Sequence, residues 1–222
     1  MESARFLASR IFRVTLYYPK RFMSLFFISK HYEITPAYFH RKHPAYYDDS
    51  YCKDEWQKEV YEYALNFAGK HQLKSVLDYG CGSGYKLLKN FKGYNCAGVE
   101  IEPMLTWLKK TYPENTWYCP NEVTDKAGTF ELLICADVIE HFINPDELIA
   151  KLKQLHSKYM VISTPDRNLF NDKYNELGPP NNPCHCREWN YQEFECYVRR
   201  HFEVLDHCCT NRKQTTQLIL CR

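Results

Sequence analysis

Three groups of residues in this 222-residue chain have types and spacings that could do chemistry. The first is VLDYGCGSGY at residues 76–85, where Asp78 is followed by Gly80, Gly82 and Gly84 at alternating positions. Glycines this dense after an apolar run let a backbone approach a ligand with no Cβ in the way. The spacing fails as a dinucleotide fingerprint, since the third glycine comes one residue early and Tyr85 stands in its place. The Gly-Lys-Ser/Thr of a phosphate-binding loop is also missing. An acid just before the glycines would repel a pyrophosphate and suits an ammonium or sulfonium. The second group is Glu100 in AGVEIEP, whose two carboxylate oxygens match the two hydroxyls of a ribose. An acid for a cation, glycines for close approach and an acid for a ribose together complement S-adenosylmethionine.

The third group is Asp137, Glu140 and His141 in DVIEH. Spacings of three and four put them on one face if the segment turns helically. His141 could be a general base that removes a hydroxyl proton, or Glu140 and His141 could only cap the next helix and shape the pocket. Downstream, Cys184-His185-Cys186 looks like half a zinc knuckle. Its other half would have to be the adjacent Cys208 and Cys209, which a strand would point to opposite faces, so no metal site is assigned. His185, Arg187 and Trp189 are instead expected on the substrate side, where a charged residue could hold a carboxylate or phosphate and Trp189 would also anchor the segment to the core.

Positioning these groups requires alternating elements. Strands are predicted at Ser75–Tyr79, Cys96–Glu100, Thr116–Cys119, Phe130–Ala136 and Tyr159–Thr164, all short and mostly apolar, as buried parallel strands are. Helices are predicted at Tyr85–Phe91, Pro103–Thr111 and Pro145–His156, the last with Asn144 as its cap. A helix at Tyr191–His201 and strands at Phe202–Cys208 and Thr215–Cys221 close the chain. This order predicts a doubly wound, mostly parallel α/β sheet with an antiparallel C-terminal hairpin. Residues 165–190 carry four prolines and no clean period, and leave the sheet where ligands sit in such folds, which suggests a lid or substrate wall. Residues 1–72 read as a helical arm and cap, with a helix at Asp54–Phe67, ahead of a main domain over 73–222.

Composition narrows the class. The apolar fraction of 45% and charged fraction of 25% fit a globular chain long enough to bury a core. The first thirty residues hold six Lys/Arg against Glu2 alone, and the rest carries 23 basic and 26 acidic residues. That balance predicts no nucleic-acid partner for the body. Ala4, Leu7, Ile11, Val14 and Tyr18 share one helical face within the basic segment, so residues 1–30 could cap the sheet, touch a membrane surface or address a mitochondrion. Eleven cysteines, an odd number with most in apolar segments, point to a reducing compartment, and the cytoplasm is the expected location.

DYGCGSG, GVEIEP, FELLICADVIEH and VISTP, in that order, resemble the class I S-adenosylmethionine-dependent methyltransferases over about residues 73–222. The resemblance implies a seven-stranded Rossmann-like sheet and S-adenosylmethionine as cofactor. Asp78, Gly80, Gly82 and Gly84 would lie near the methionine part and Glu100 on the ribose, with Asn121 or Glu122 near the adenine and Cys81, Ile101 and Ala136 also on the cofactor. DVIEH and NPCHCREWNYQEF are similar to a small-molecule branch that includes the ubiquinone-biosynthesis O-methyltransferases. In that branch an acid-x-x-Glu-His arrangement is associated with a divalent metal, a third possible role for Asp137, Glu140 and His141. Asp rather than Glu at the first position shortens the reach, and the metal role is not adopted. The function expected is methyl transfer to a small-molecule hydroxyl, with His141 as base. The alternatives are transfer to a small amine, or a non-catalytic cofactor-binding module. The oligomeric state is left open.

Overall fold

The computed structural model describes residues 32–36, 38–48, 51–126, 129–169 and 177–222. The amphipathic helix expected within residues 1–30, with its membrane or organelle roles, lies outside the described residues. No helix among the described residues is long and apolar enough to cross a membrane.

The strands are β1 (Ser75–Tyr79), β2 (Asn95–Val99), β3 (Thr116–Tyr118), β4 (Leu132–Ala136), β5 (Tyr159–Pro165), β6 (Val204–Asn211) and β7 (Thr216–Cys221). They form one seven-stranded sheet in the order β3-β2-β1-β4-β5-β7-β6. β1 to β5 pair in parallel, while β7 runs antiparallel to both β5 and β6, so the doubly wound sheet with a closing hairpin is as expected. All five residues of β4 are buried, because a central parallel strand is covered on both faces. β1 lies between β2 and β4, and this is where the strand order reverses. Side chains at the carboxyl ends of β1 and β4 therefore open into one crevice.

The helices are α1 (Lys58–Lys70), α2 (Tyr85–Asn90), α3 (Met104–Thr111), α4 (Val123–Lys126), α5 (Pro145–Gln154) and α6 (Tyr191–Arg199). α1 packs Val60, Tyr61, Ala64 and Ala68 into the same core as Val76 and Leu132. On the other face, Leu148, Ile149 and Leu152 of α5 are buried with Leu133 and Ile162, each worth about 1.5–3 kcal/mol of apolar burial. Asn144 stands at the N-cap of α5, but its side chain does not cap it. It accepts from Tyr32 Oη and donates to Glu147 instead. α6 is closed by a reciprocal capping box between Asn190 and Glu193, a signature legible in N-Y-Q-E that the sequence reading passed over.

The described part of 165–190 is tied to its neighbours through the backbone. Asp166 bridges to Trp189, and Arg41 N–H and Ala45 N–H donate to the carbonyls of Cys186 and Pro183. All eleven cysteines are present as thiols.

Candidate active site

The crevice at the ends of β1 and β4 opens into a cavity of about 860 Å³, within the range of sites that take a cofactor-sized ligand. Gly80, Cys81, Glu100, Ile101, Asn121 and Ala136 all line it. Glu100 Oε2 accepts the Gly82 N–H at 2.9 Å and its Oε1 accepts the Ile101 N–H at 2.8 Å. The carboxylate thus ties the glycine loop to the end of β2 and remains on the cavity wall.

The other expected cofactor residues sit behind that wall. Asp78 is fully buried, with its Oδ2 accepting from Tyr61 Oη at 2.7 Å, so α1 supplies the partner of this acid. Gly84, at φ +69°, starts α2, and a Cβ there would lie 2.7 Å from the Trp117 ring. Gly80, at φ +78°, would meet Val138 Cγ2 at 2.4 Å. These glycines are thus required by packing inside the protein, beyond any need of a ligand.

After β4 the chain turns sharply at Asp137, a non-glycine residue at φ 54°. Ser163 Oγ donates to Asp137 Oδ1 at 2.6 Å, and the Asp137 N–H donates back to the Ser163 carbonyl at 3.1 Å. That clamp starts a 3-10 turn over Ile139–His141. Glu140 is fully buried, and Thr164 Oγ1 donates to its Oε2 at 3.1 Å. Its Oε1 is buried without a hydrogen-bond partner among the described residues. Burial, and then the Asp137 charge, push the Glu140 carboxyl well above the usual range. Burial likewise raises Asp137.

His141 donates from Nδ1 to the Cys184 carbonyl at 2.8 Å, which leaves its Nε2 lone pair open. Burial, then the His185 charge, lower its pKa to about 4, so the ring is neutral at neutral pH. His185 is buried too, and its Nδ1 donates to Glu188 at 2.7 Å. Its Nε2 accepts from Asn182 at 2.9 Å and lies 4.0 Å from Glu140 Oε1. One ligand atom each from Glu140, His141 and His185 therefore falls within 4.8 Å of the others. Two imidazoles and a buried carboxylate form a set that can hold a divalent cation. Asp137, clamped by Ser163, is not among them.

His185 does face the cavity, but Arg187 and Trp189 do not. Arg187 is 1% exposed and donates to His40 and to the carbonyls of Phe142 and Ile143, beneath the Tyr32 ring. A buried guanidinium must spend its donors on nearby acceptors, so this one ties the wall together. Trp189, expected on the substrate side, donates from its indole to the Tyr32 carbonyl and stacks on Tyr197, so it packs into the core and does not line the cavity. Sequence reasoning missed Glu188, Asn182, Ser163 and Tyr61. Their only signal is polarity in segments far apart along the chain.

A family model of a methyltransferase domain matches residues 50–212. The chain belongs to the methyltransferase domain family. Its fold is that of the class I S-adenosylmethionine-dependent methyltransferases, and S-adenosylmethionine is the cofactor. The chain is 27% identical over 180 residues to a small RNA 2′-O-methyltransferase of Rattus norvegicus, covering 68% of this chain and 44% of that protein. It is 24% identical over 132 residues to a tRNA U34 carboxymethyltransferase of Campylobacter jejuni subsp. doylei, covering 55% and 45%. The crystallised methyltransferase domain of a bacterial Hen1 superposes with a TM-score of 0.58 at 20% identity, covering 74% of this chain and 97% of that one. The chain spans less than half the length of the curated relatives it matches. These methyltransferase relatives overturn the small-molecule acceptor and the absence of a nucleic-acid partner. The inference from charge failed because a chain-wide balance averages over the surface, whereas nucleic acid responds to local cations and aromatics.

Proposed function

We propose that this domain transfers the methyl group of S-adenosylmethionine to a ribose 2′-hydroxyl of RNA, at a site where Glu140, His141 and His185 hold a divalent cation. The juxtaposition of those three ligand atoms on the cofactor cavity carries the reading. The relatives named as small RNA 2′-O-methyltransferases support it. The likeness to the ubiquinone-biosynthesis branch gives no weight to the acceptor.

The residues fit a cation. Glu140 Oε1 has no hydrogen-bond partner among the described residues, and the His141 Nδ1 proton is committed to the Cys184 carbonyl, which turns its Nε2 toward a cation; His185 Nε2, which accepts from Asn182, would exchange that bond for the cation. A bound divalent cation supplies Lewis-acid charge beside the acceptor hydroxyl and lowers the cost of removing its proton. His141, with a pKa of about 4, is a weak general base at neutral pH, which favours the ligand role over the base role. Asp137 and Ser163 set the turn that presents Glu140 and His141. Glu100 and the Gly80–Cys81 backbone hold the cofactor, and Ile101, Asn121 and Ala136 complete its wall. Transfer then depends chiefly on holding donor and acceptor in line. Residues 32–72 cap this domain, and 73–222 carry the cofactor site.

The test is methyl transfer from labelled S-adenosylmethionine to a short RNA and to DNA of the same sequence, with manganese, magnesium or chelator, followed by nuclease digestion. A 2′-O-methylated nucleoside from RNA alone, lost with chelator and restored by metal, is expected. A methylated base, or transfer to DNA, would refute it.

A further inference from the structure

We infer that residues 41–47 form the strip on which the acceptor RNA lies, with Tyr46 as a stacking platform for a nucleobase and Arg41 and Lys42 facing the phosphates. This rests on the RNA reading above. The strip is fixed relative to the metal-ligand group through the backbone. Arg41 N–H donates to the Cys186 carbonyl at 2.7 Å, and Ala45 N–H donates to the Pro183 carbonyl at 3.0 Å. The Cys184 thiol reaches the Tyr46 carbonyl at 3.8 Å, while the Cys184 carbonyl accepts from His141 at 2.8 Å. Cys184 is therefore the one-residue link between Tyr46 and His141.

Tyr46 and Tyr47 both line the cavity, yet are 53% and 44% exposed, as a rim that meets an incoming ligand must be. A tyrosine ring presents a flat face to a base of any identity, with little side-chain entropy to lose. The charge beside it has the sign RNA needs. The Arg41 guanidinium donates to the carbonyls of His185 and Pro180, which are neutral acceptors, so its positive charge is retained on the strip. Lys42 is exposed next to it. Phosphate-facing cations beside a rim aromatic are the two components of single-strand recognition.

The test measures binding of a fluorescent single-stranded RNA to the full chain by anisotropy, with thermal unfolding in parallel. Tyr46→Ala should weaken RNA binding about 5- to 100-fold while Tyr46→Phe stays within about threefold of the unmodified chain. Lys42→Ala should lower the salt dependence of RNA binding by about one phosphate contact, a change of about 0.7 in the log–log slope. The thermal unfolding midpoint should be unchanged in all three, which shows that they fold. RNA bound and methylated by the unmodified chain, but bound equally well by Tyr46→Ala, would overturn the strip alone. No RNA binding by the unmodified chain would overturn both the strip and the RNA reading.

Discussion

His185 Nδ1 and Glu188 Oε1 lie 2.7 Å apart, and both side chains are buried. A carboxylate that accepts from Nδ1 fixes the tautomer, with Nε2 accepting from Asn182 at 2.9 Å and lying 4.0 Å from Glu140 Oε1. Glu188 is itself held, its N–H donating to Tyr38 Oη at 3.0 Å. Glu188→Gln should therefore lower manganese affinity by roughly 10- to 100-fold, the usual cost of losing such a partner. Calorimetric titration with manganese checks this, and S-adenosylhomocysteine binding should be kept.

Glu140 gives a pH-dependent prediction. Its folded pKa lies well above the unfolded value, so its contribution to stability is full below the unfolded pKa and is lost as pH rises through the folded one. Glu140→Gln removes a buried carboxyl that must otherwise ionise. In metal-free protein the variant should be the more stable at alkaline pH, by about 1–3 kcal/mol and roughly 2–4 °C in Tm per kcal/mol. The gap should close toward pH 4. Thermal unfolding in chelator across that range measures it, and the variant should also lose the stabilisation that manganese gives the unmodified chain.

Glu100→Ala removes the acceptor of two backbone N–H groups as well as the expected ribose partner. S-adenosylhomocysteine affinity should fall by about 1–3 kcal/mol, the cost of stranding donors that had a charged acceptor. Calorimetry reads it directly, and an unchanged affinity would place the ribose elsewhere.

Gly84→Ala tests the packing role of the loop. The new Cβ would sit in the left-handed region and 2.7 Å from the Trp117 ring, which cannot swing aside as a flexible chain end could. Strain and overpacking together should destabilise by about 2–4 kcal/mol. Urea denaturation should show an earlier midpoint. A loss of cofactor binding without loss of stability would mean that the glycine serves the ligand alone.

Much of this protein was legible in order along the chain. Five apolar runs alternating with helical periods dictate a parallel sheet, because each run needs cover on both faces and each crossover needs a helix. The glycine loop and Glu100 follow β1 and β2 at once, so local spacing was enough to place them at the carboxyl ends of those strands. His141 and Glu140 were legible for the same reason, since one short turn carries both. What joins them was not. His185 stands more than forty residues further on, in a segment with no period, and its neighbour Arg187 looked equally suited to a ligand. Only the folded chain decides between them. The 3-10 turn after β4 brings Cys186 N–H to the Glu140 carbonyl at 2.7 Å, which sets His185 toward the carboxylate and sends Arg187 inward to Phe142 and Ile143. Local periodicity records which face of an element is apolar, but a contact between two loops depends on the whole sheet between them, and no spacing in the sequence encodes it.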